Sequence, residues 1–149
     1  MHRGGTVAGQ AGGMSEYERS RTMPALAEHV FDQAGDVNWL GSWLPEELHV
    51  RAERLPEVTV HEDRTGQDEP ALFRARTDRL RLEWGTRESG AYTGWLQVSG
   101  TGGGASEVTV HLAFADERHD PGEEVVLASL ERSLERLEEQ VRLRVEDAG

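Results

Sequence analysis

Polar and apolar residues alternate through the middle of the chain, and this period of two predicts β-strands. The apolar positions of the alternation are Val58, Val60, Phe73, Ala75, Leu80, Leu82, Trp84, Val108, Val110, Leu112 and Phe114. Such a pattern is typical of an antiparallel sheet with one buried face and one hydrated face. Turn residues at Ser89-Gly90 and Gly100–Gly104 separate the segments, and no long helix lies between consecutive strands. We therefore predict an antiparallel sheet of six or seven strands.

Three elements precede the alternating region. Tyr17–Met23 alternates weakly and predicts the first strand. Apolar residues at helical spacing predict a short helix over Ala25–Ala34, and Gly35 is suited to end it. Asp36 is a favourable N-cap, so we expect a second short helix at about Val37–Trp43.

The last part of the chain predicts one long helix, at about Glu123–Asp147. Its apolar stripe, with spacings of three and four residues, consists of Leu127, Leu130, Leu134, Leu137, Val141 and Val145. The same spacing also matches a coiled-coil seam, although it spans only about three heptads. Because the apolar face of the sheet needs a cover, we favour packing of this stripe on the sheet.

The stretch Tyr17–Pro45 carries three short motifs: Ala25-x-Ala27-Glu28-x-Val30-Phe31, Asp36-Val37 and Trp43-Leu44-Pro45. Together with the order of predicted elements, they resemble the START-like, or SRPBCC, superfamily of polyketide cyclases, lipid-transfer domains and coenzyme Q-binding proteins. The resemblance implies an α+β helix-grip fold. In that fold a curved antiparallel sheet of six to seven strands wraps around a long C-terminal helix, with two short helices after the first strand and an internal cavity.

The resemblance extends over nearly the whole chain, so we expect a single START-like domain at residues 15–147. Residues 1–14 are mostly Gly, Ala and polar residues and lack the apolar core of a signal peptide. We expect them to form a disordered N-terminal tail.

Composition narrows the function further. The net charge is −12, which disfavours binding to nucleic acid and to anionic membranes. No segment approaches the roughly 18 consecutive apolar residues of a membrane span. The chain has no cysteine and no lysine, which excludes disulfides, thiolate chemistry and lysine Schiff bases. We expect a cytoplasmic protein without a cofactor or membrane insertion, either a monomer or a weak homodimer.

Large apolar and aromatic residues of the predicted strands and of the last helix are candidates for contact with a hydrophobic ligand, and the resemblance implies that Trp43, in the second short helix, could line the entrance of the cavity. The candidates are Trp43, Phe73, Leu82, Trp84, Tyr92, Leu112, Phe114, Leu130 and Leu134. Ordinary core packing is the alternative for each of them. Arg21 is a further candidate, since a guanidinium on the inward face of the first strand would bind an acidic head group. The alternative for Arg21 is a hydrated position at the sheet edge.

Other motifs carry little chemistry. The histidines show no metal-binding spacing, and His61 and His111 lie on outward phases. Gly100–Ala105 matches the loose form of a dinucleotide-binding loop, but a predicted strand follows it where that mechanism needs a helix. No nucleophile motif or pair of inward carboxylates is evident, so catalytic residues remain unassigned.

Three hypotheses follow. The first is binding of a hydrophobic or amphipathic small molecule, such as a lipid, polyketide or quinone, in the cavity between sheet and C-terminal helix. The second is an enzyme of the polyketide cyclase/dehydratase type, with Tyr92 and Arg21 as the nearest polar candidates in the same cavity. The third is a protein-interaction module without a functional cavity. An exposed apolar patch around the outward Trp95 or around the Trp39–Trp43 turn, together with a filled interior, would be evidence for it.

Overall fold

The alternating segments form one seven-stranded antiparallel sheet in the computed structural model of the chain. The structure describes residues 15–36, 40–41, 43–44, 48–63, 66–86, 92–115 and 122–148, with the side chains of residues 62, 86 and 145–148 outside the description. The predicted tail, residues 1–14, lies outside the described residues.

The second to seventh strands lie side by side in the order of the sequence, and the first strand pairs with the seventh. They are β1 (Ser15–Met23), β2 (Leu48–Arg54), β3 (Glu57–Glu62), β4 (Gln67–Arg76), β5 (Arg81–Thr86), β6 (Tyr92–Gly102) and β7 (Ala105–Phe114). Their spatial order is β1-β7-β6-β5-β4-β3-β2, and every neighbouring pair is antiparallel. The predicted antiparallel sheet is confirmed, and β1 and β2 are its edge strands.

Two α-helices accompany the sheet in the part of the chain that the structure describes. Helix α1 (Ala27–Gly35) follows β1, and helix α2 (Glu123–Ala148) ends the described chain. Helix α1 begins two residues later than predicted because Leu26 has an extended backbone and occupies the N-cap position. The second predicted short helix lies largely outside the described residues. Within it, Leu40 accepts backbone hydrogen bonds from Trp43 and Leu44, which close a tight turn.

The apolar stripe of α2 is buried within the chain, as the sheet-packing interpretation predicts. Val126, Leu130, Leu134, Leu137 and Val141 are all buried. The first turn of the helix differs from the prediction, since Val126 is buried and Leu127 is only partly buried. With 3.6 residues per turn, position 126 is the one that aligns with position 130. No helix among the described residues has the length and apolar character needed to span a membrane.

One strand boundary also differs from the period-two pattern. The alternation predicts Leu80 on the same strand as Leu82 and Trp84, but β5 begins one residue after Leu80, at Arg81. A short 3-10 turn at Thr77–Arg79 precedes β5, and Leu80 has a left-handed backbone with φ of 52°. Its side chain still packs against the core. The turn therefore reverses the chain while it keeps an apolar residue inside.

Candidate ligand-binding site

Five strands contribute one continuous row of side-chain positions across the concave face of the sheet. The row runs Phe73–Trp84–Gly94–Leu112–Tyr17, from β4 through β5, β6 and β7 to β1. Each residue is the direct cross-strand partner of the next, so their side chains point to the same face. Three of the predicted site residues, Phe73, Trp84 and Leu112, are brought together in this row.

Glycine at the centre of the row gives the indole of Trp84 its place. A Cβ added at Gly94 would lie 2.5 Å from Nε1, 2.6 Å from Cε2 and 2.8 Å from Cζ2 of Trp84. The indole therefore lies directly against the backbone of β6, a close approach that only glycine allows. Trp84 Nε1 also donates a hydrogen bond of 3.1 Å to Oη of Tyr92, two residues before Gly94.

A second pair of aromatic residues extends the row toward one end of the sheet. Tyr92 and Phe114 are cross-strand partners, and their ring centroids lie 5.2 Å apart. Phe114 also contacts Tyr17 edge to face at a centroid distance of 6.1 Å. We call the resulting surface the aromatic face, and its members are Tyr17, Phe73, Trp84, Tyr92, Leu112 and Phe114. Five of them are partly exposed, and Phe114 is buried, with 8% of its surface exposed.

The central strands carry the buried part of the concave face. In the next row toward the other end, Leu82, Leu96 and Val110 are buried, and in the row after it Val98 and Val108 are buried. The edge positions of these rows, Ala75 and Arg19, are exposed. Helix α1 covers this end. A Cβ added at Gly35 would lie 3.2 Å from Cδ2 of Leu82, so the last residue of α1 lies against the sheet. On strands β5, β6 and β7, the aromatic face is thus the partly exposed end of a surface whose next two rows are buried.

Several predicted site residues lie in the packed core. Leu82, Leu130 and Leu134 are buried within the main hydrophobic cluster. Trp43 is 2% exposed, and its Nε1 donates a hydrogen bond of 3.2 Å to the carbonyl oxygen of Ala34 at the end of α1. These residues support the closed end of the concave face, whereas Phe73, Trp84, Tyr92, Leu112 and Phe114 form its partly exposed end.

Arg21 lies where β1 approaches helix α2. Its Nε donates a hydrogen bond to Oε1 of Glu138, and its Nη1 lies 4.0 Å from Oε2 of Glu135. Arg19 pairs with Glu131 on the same side of the helix at 3.7 Å. The two arginines therefore tie the edge strand to the helix through ion pairs, and about 40% of the Arg21 side chain is exposed.

A third arginine, Arg136, makes contacts on the opposite flank of α2. Nη1 of Arg136 donates a hydrogen bond of 2.7 Å to the carbonyl oxygen of Leu44, and Nη2 donates one of 2.9 Å to that of Gly41. A planar guanidinium is suited to such a two-pronged contact. The turn that carries Trp43 is thereby fastened to the helix.

Comparisons with known proteins agree with this architecture. No protein-family model matches the chain, and no curated protein matches it by sequence. Solved structures do match. The Zhui aromatase/cyclase from Streptomyces sp. R1128 has 17% sequence identity and a TM-score of 0.68, over 91% of this chain and 98% of that protein. A START superfamily protein from Mycobacterium smegmatis has 15% identity and a TM-score of 0.66, over 86% and 97% of the two chains.

The chain has the START-like fold. A further structural neighbour, a norcoclaurine synthase from Thalictrum flavum bound to a transition-state analogue, has 12% identity and a TM-score of 0.64, over 88% and 96% of the two chains. At these identities the likeness concerns the fold. The resemblance drawn from the Tyr17–Pro45 motifs is confirmed at that level.

On the convex side of the START-like fold, Trp95 lies on the outward phase, as predicted, but other side chains cover it. The imidazole of His111 stacks parallel to its ring at a centroid distance of 5.1 Å. The guanidinium carbon of Arg81 lies 4.4 Å from the ring centroid, a cation–π contact. His111 in turn lies 2.9 Å from Glu16 and 3.0 Å from Glu18 on β1. Trp95 therefore belongs to a packed polar cluster on this side.

The resolved pKa shifts belong to this convex, hydrated side. Hydrogen bonds from Arg76 and Arg81 hold the pKa of the Glu83 carboxyl below its usual range, with Arg76 as the larger cause. A hydrogen bond from Arg51 likewise lowers the pKa of Glu53, helped by Thr59. Both pKa shifts therefore arise from ion pairs on the surface of the protein. Among the described residues, no group of three or more histidine and acidic side chains is arranged to hold a metal ion.

Two residues relevant to this site, Gly94 on β6 and Ser133 on α2, were not predicted from the sequence. Gly94 carries no hydrophobic signal, although a glycine opposite a tryptophan in a predicted hairpin is a usable sign of close packing. Ser133 lies within the stripe of α2 and is buried, but a lone serine between leucines does not alter the helical pattern.

Proposed function

We propose that this protein binds a hydrophobic or amphipathic small molecule, such as a lipid, polyketide or quinone-like compound, between its sheet and helix α2. The observation that carries the proposal is the aromatic face. Five of its six residues stay partly exposed, whereas the next two rows of the concave surface are buried on the central strands β5, β6 and β7. Concave, largely apolar surfaces with a few polar groups are the usual sites for small ligands.

The energetics favour an apolar occupant. Each square ångström of apolar surface that a ligand covers contributes about 25 cal/mol. The face also carries two phenol groups, Tyr17 and Tyr92, and the indole N–H of Trp84. Aromatic walls with a few polar atoms suit a molecule that is mostly apolar but carries oxygen atoms.

Structural neighbours support the same class of ligand. Zhui and a second neighbour of TM-score 0.67, the di-domain protein BexL from the BE-7585A biosynthetic pathway, are both aromatase/cyclases. This chain covers 47% of the length of BexL, which has two domains. These likenesses lend support through the fold, since both identities lie below 20%.

Native mass spectrometry of the protein purified from its own cells tests the proposal. We expect an apolar adduct at one molecule per chain that is lost on denaturation and recovered by solvent extraction. Thermal unfolding with a panel of apolar probes is the second arm, since a ligand that binds only the folded state raises the unfolding temperature. A clean unliganded mass together with no stabilisation by any probe would contradict the proposal.

A second candidate function is catalysis of the polyketide cyclase/dehydratase type in the same site. The observation that favours it is the hydrogen bond from Trp84 Nε1 to Tyr92 Oη, which orients a phenol at the partly exposed end. General acid–base catalysis needs a proton-bearing group held at a defined position. Incubation with a synthetic poly-β-keto thioester, followed by mass spectrometry, tests it. Cyclised product that has lost water, and that Tyr92→Phe no longer forms, is expected; equal product with and without the enzyme would overturn it.

The interaction-module hypothesis is less well supported, because His111 and Arg81 contact Trp95 and because Trp43 is buried. Trp39 lies outside the described residues. We further propose that residues 15–147 form the one ligand-binding domain, that it acts in the cytoplasm, and that it works as a monomer or weak homodimer. Limited proteolysis and analytical ultracentrifugation test the limits of the domain and its oligomeric state.

A further inference from the structure

Ser133 is a buried polar residue in the middle of the apolar stripe of α2. It is 3% exposed, and its Oγ has no hydrogen-bond partner among the residues that the structure describes. Leu130 and Leu137, one turn away on either side, are buried in the hydrophobic core. A polar atom therefore interrupts an otherwise apolar surface at this point.

Such a hydroxyl is unfavourable in the ligand-free protein. A buried polar group without a partner loses its hydrogen bonds to water and gains nothing in return. Serine inside a helix commonly relieves this by bonding to the carbonyl oxygen four residues earlier, but Ser133 Oγ makes no such bond. Alanine would fit the same position with better helix propensity. A costly side chain at this position points to a role outside the packing of the core.

Contacts on both flanks of α2 define where position 133 faces. Glu131 and Glu138 contact the arginines of β1 on one flank. Arg136 fastens the Gly41–Leu44 turn on the other flank. Residues three and four apart share a helix face, so Ser133 lies with Leu130 and Leu137 between these flanks, toward the concave face of the sheet.

Along the direction of the strands, Ser133 lies close to the aromatic face. Glu131 pairs with Arg19, and Arg19 belongs to the same cross-strand row as Val110. This row is adjacent to the row of Leu112 on β7. Adjacent inward positions on a strand are about 7 Å apart. Glu135 and Glu138 approach Arg21, one row further on, so Ser133 lies between the rows of Arg19 and Arg21. A ligand on the aromatic face therefore needs to extend by about one to two rows to reach the level of Ser133.

The second buried hydroxyl without a partner among the described residues offers a comparison. Ser106 Oγ is also buried, at the opposite end of β7. It is six residues from Leu112, which corresponds to about 20 Å along the strand. Its cross-strand neighbours are Met23 and Gly100, beside the β6–β7 hairpin. Ser106 is thus buried in the same way but lies far from the aromatic face.

We propose that the Ser133 hydroxyl binds an oxygen atom of the ligand, at the end of the ligand that lies deepest under α2. The ligand class is an apolar molecule that carries a hydroxyl or carbonyl oxygen at its inner end. This inference rests on the proposed function and deepens it, because it assigns the residue that distinguishes an oxygenated ligand from the corresponding hydrocarbon.

Two probes that differ by a single oxygen test the assignment: 2-naphthol and naphthalene. Equilibrium dialysis measures the dissociation constant of each for wild type, Ser133→Ala and the matched control Ser106→Ala. We expect wild type and S106A to prefer 2-naphthol, and S133A to lose about 3- to 10-fold of that preference, the value of one uncharged hydrogen bond. S133A should unfold at a temperature no lower than that of wild type, because it removes a buried polar atom without a partner.

The outcomes separate this inference from the proposed function. If both probes bind wild type and S133A keeps the full preference for 2-naphthol, the role of Ser133 is overturned while ligand binding stands. If S106A loses the preference equally, the effect is not local to Ser133 and the assignment is also overturned. If neither probe binds wild type, the proposed binding site fails together with the inference.

Discussion

The indole of Trp84 occupies the space that a side chain at Gly94 would fill, with Nε1 only 2.5 Å from the position of a Cβ atom. The two residues are direct cross-strand partners on β5 and β6. Because Trp84 is held in this way, its ring forms a flat wall between Phe73 on one side and Leu112 on the other. The shape of the aromatic face therefore depends on a glycine.

Replacement of Gly94 by alanine should displace the indole. The added methyl group overlaps three ring atoms of Trp84, so we expect a loss of about 1–3 kcal/mol in the free energy of unfolding. Urea denaturation measures it. Gly100→Ala is the matched control on the same strand, since a Cβ there meets nothing within 4 Å. If G94A and G100A unfolded at the same urea concentration, the close packing of Trp84 on β6 would be refuted.

Shortening Phe73 should weaken binding at the aromatic face. Loss of one aromatic wall removes apolar contact worth about tenfold in affinity for 2-naphthol. Leu72→Ala is the control. Leu72 directly precedes Phe73 on β4 and is also partly buried, but its side chain lies on the opposite face of the sheet. Equilibrium dialysis should show weaker binding for Phe73→Ala and unchanged binding for L72A. Equal losses in both variants would argue for a general effect on folding.

Replacement of Arg136 by lysine should destabilise the protein even though the positive charge is kept. Lysine keeps the positive charge but cannot donate two directed hydrogen bonds to the carbonyl oxygens of Leu44 and Gly41. We expect Arg136→Lys to lower the free energy of unfolding by about 1–2 kcal/mol. The exposed Arg132, one turn earlier on α2, supplies the control Arg132→Lys, which should change stability little. A neutral result for R136K would show that the turn is held by other contacts.

The ion pair of Glu83 with Arg76 and Arg81 predicts a weak dependence of stability on pH. Since these arginines lower the pKa of the folded-state carboxyl, its contribution is fully present above the ordinary glutamate pKa of about 4.3. It is lost as the pH falls through the lower folded-state value. Glu83→Gln should therefore be less stable than wild type at pH 7 by at most about 1 kcal/mol, and the gap should close in acid.

Denaturation from pH 7 down to pH 3 measures this gap. Glu107→Gln is the control, because Glu107 is exposed on β7 and should give a curve parallel to that of wild type. A gap between E83Q and wild type that widened in acid would have the wrong sign for this ion pair.

The arrangement of the concave face was partly visible in the sequence. Strict alternation identified the inward phase of Phe73, Trp84 and Leu112, because burial of one sheet face imposes a period of two. The alternation did not reveal which residues lie opposite one another, since cross-strand register depends on turn lengths and on pairing across the sheet. The Trp84–Gly94 contact is a consequence of that register.

The sequence pattern also does not distinguish residues of the packed core from residues of the candidate ligand-binding site. Leu82 and Trp84 share one phase of one strand, yet Leu82 is buried under α1 while Trp84 is partly exposed. The last residue of α1, Gly35, lies against Leu82, whereas the sequence predicts the end of this helix one residue earlier, at Ala34. Likewise, the partners of Arg21 lie more than a hundred residues away on α2, beyond the reach of any local pattern.

Indole N–H signals in a ¹⁵N-correlated NMR spectrum offer the most direct test of ligand binding at the aromatic face. Trp84 reports on that face, Trp43 on the buried turn beside α1, and Trp95 on the convex side. Single Trp→Phe variants assign the signals, and 2-naphthol is then added stepwise. The account predicts a saturable shift of the Trp84 signal while the Trp95 signal stays in place. A shift of Trp95 without one of Trp84, or no shift of either, would contradict it.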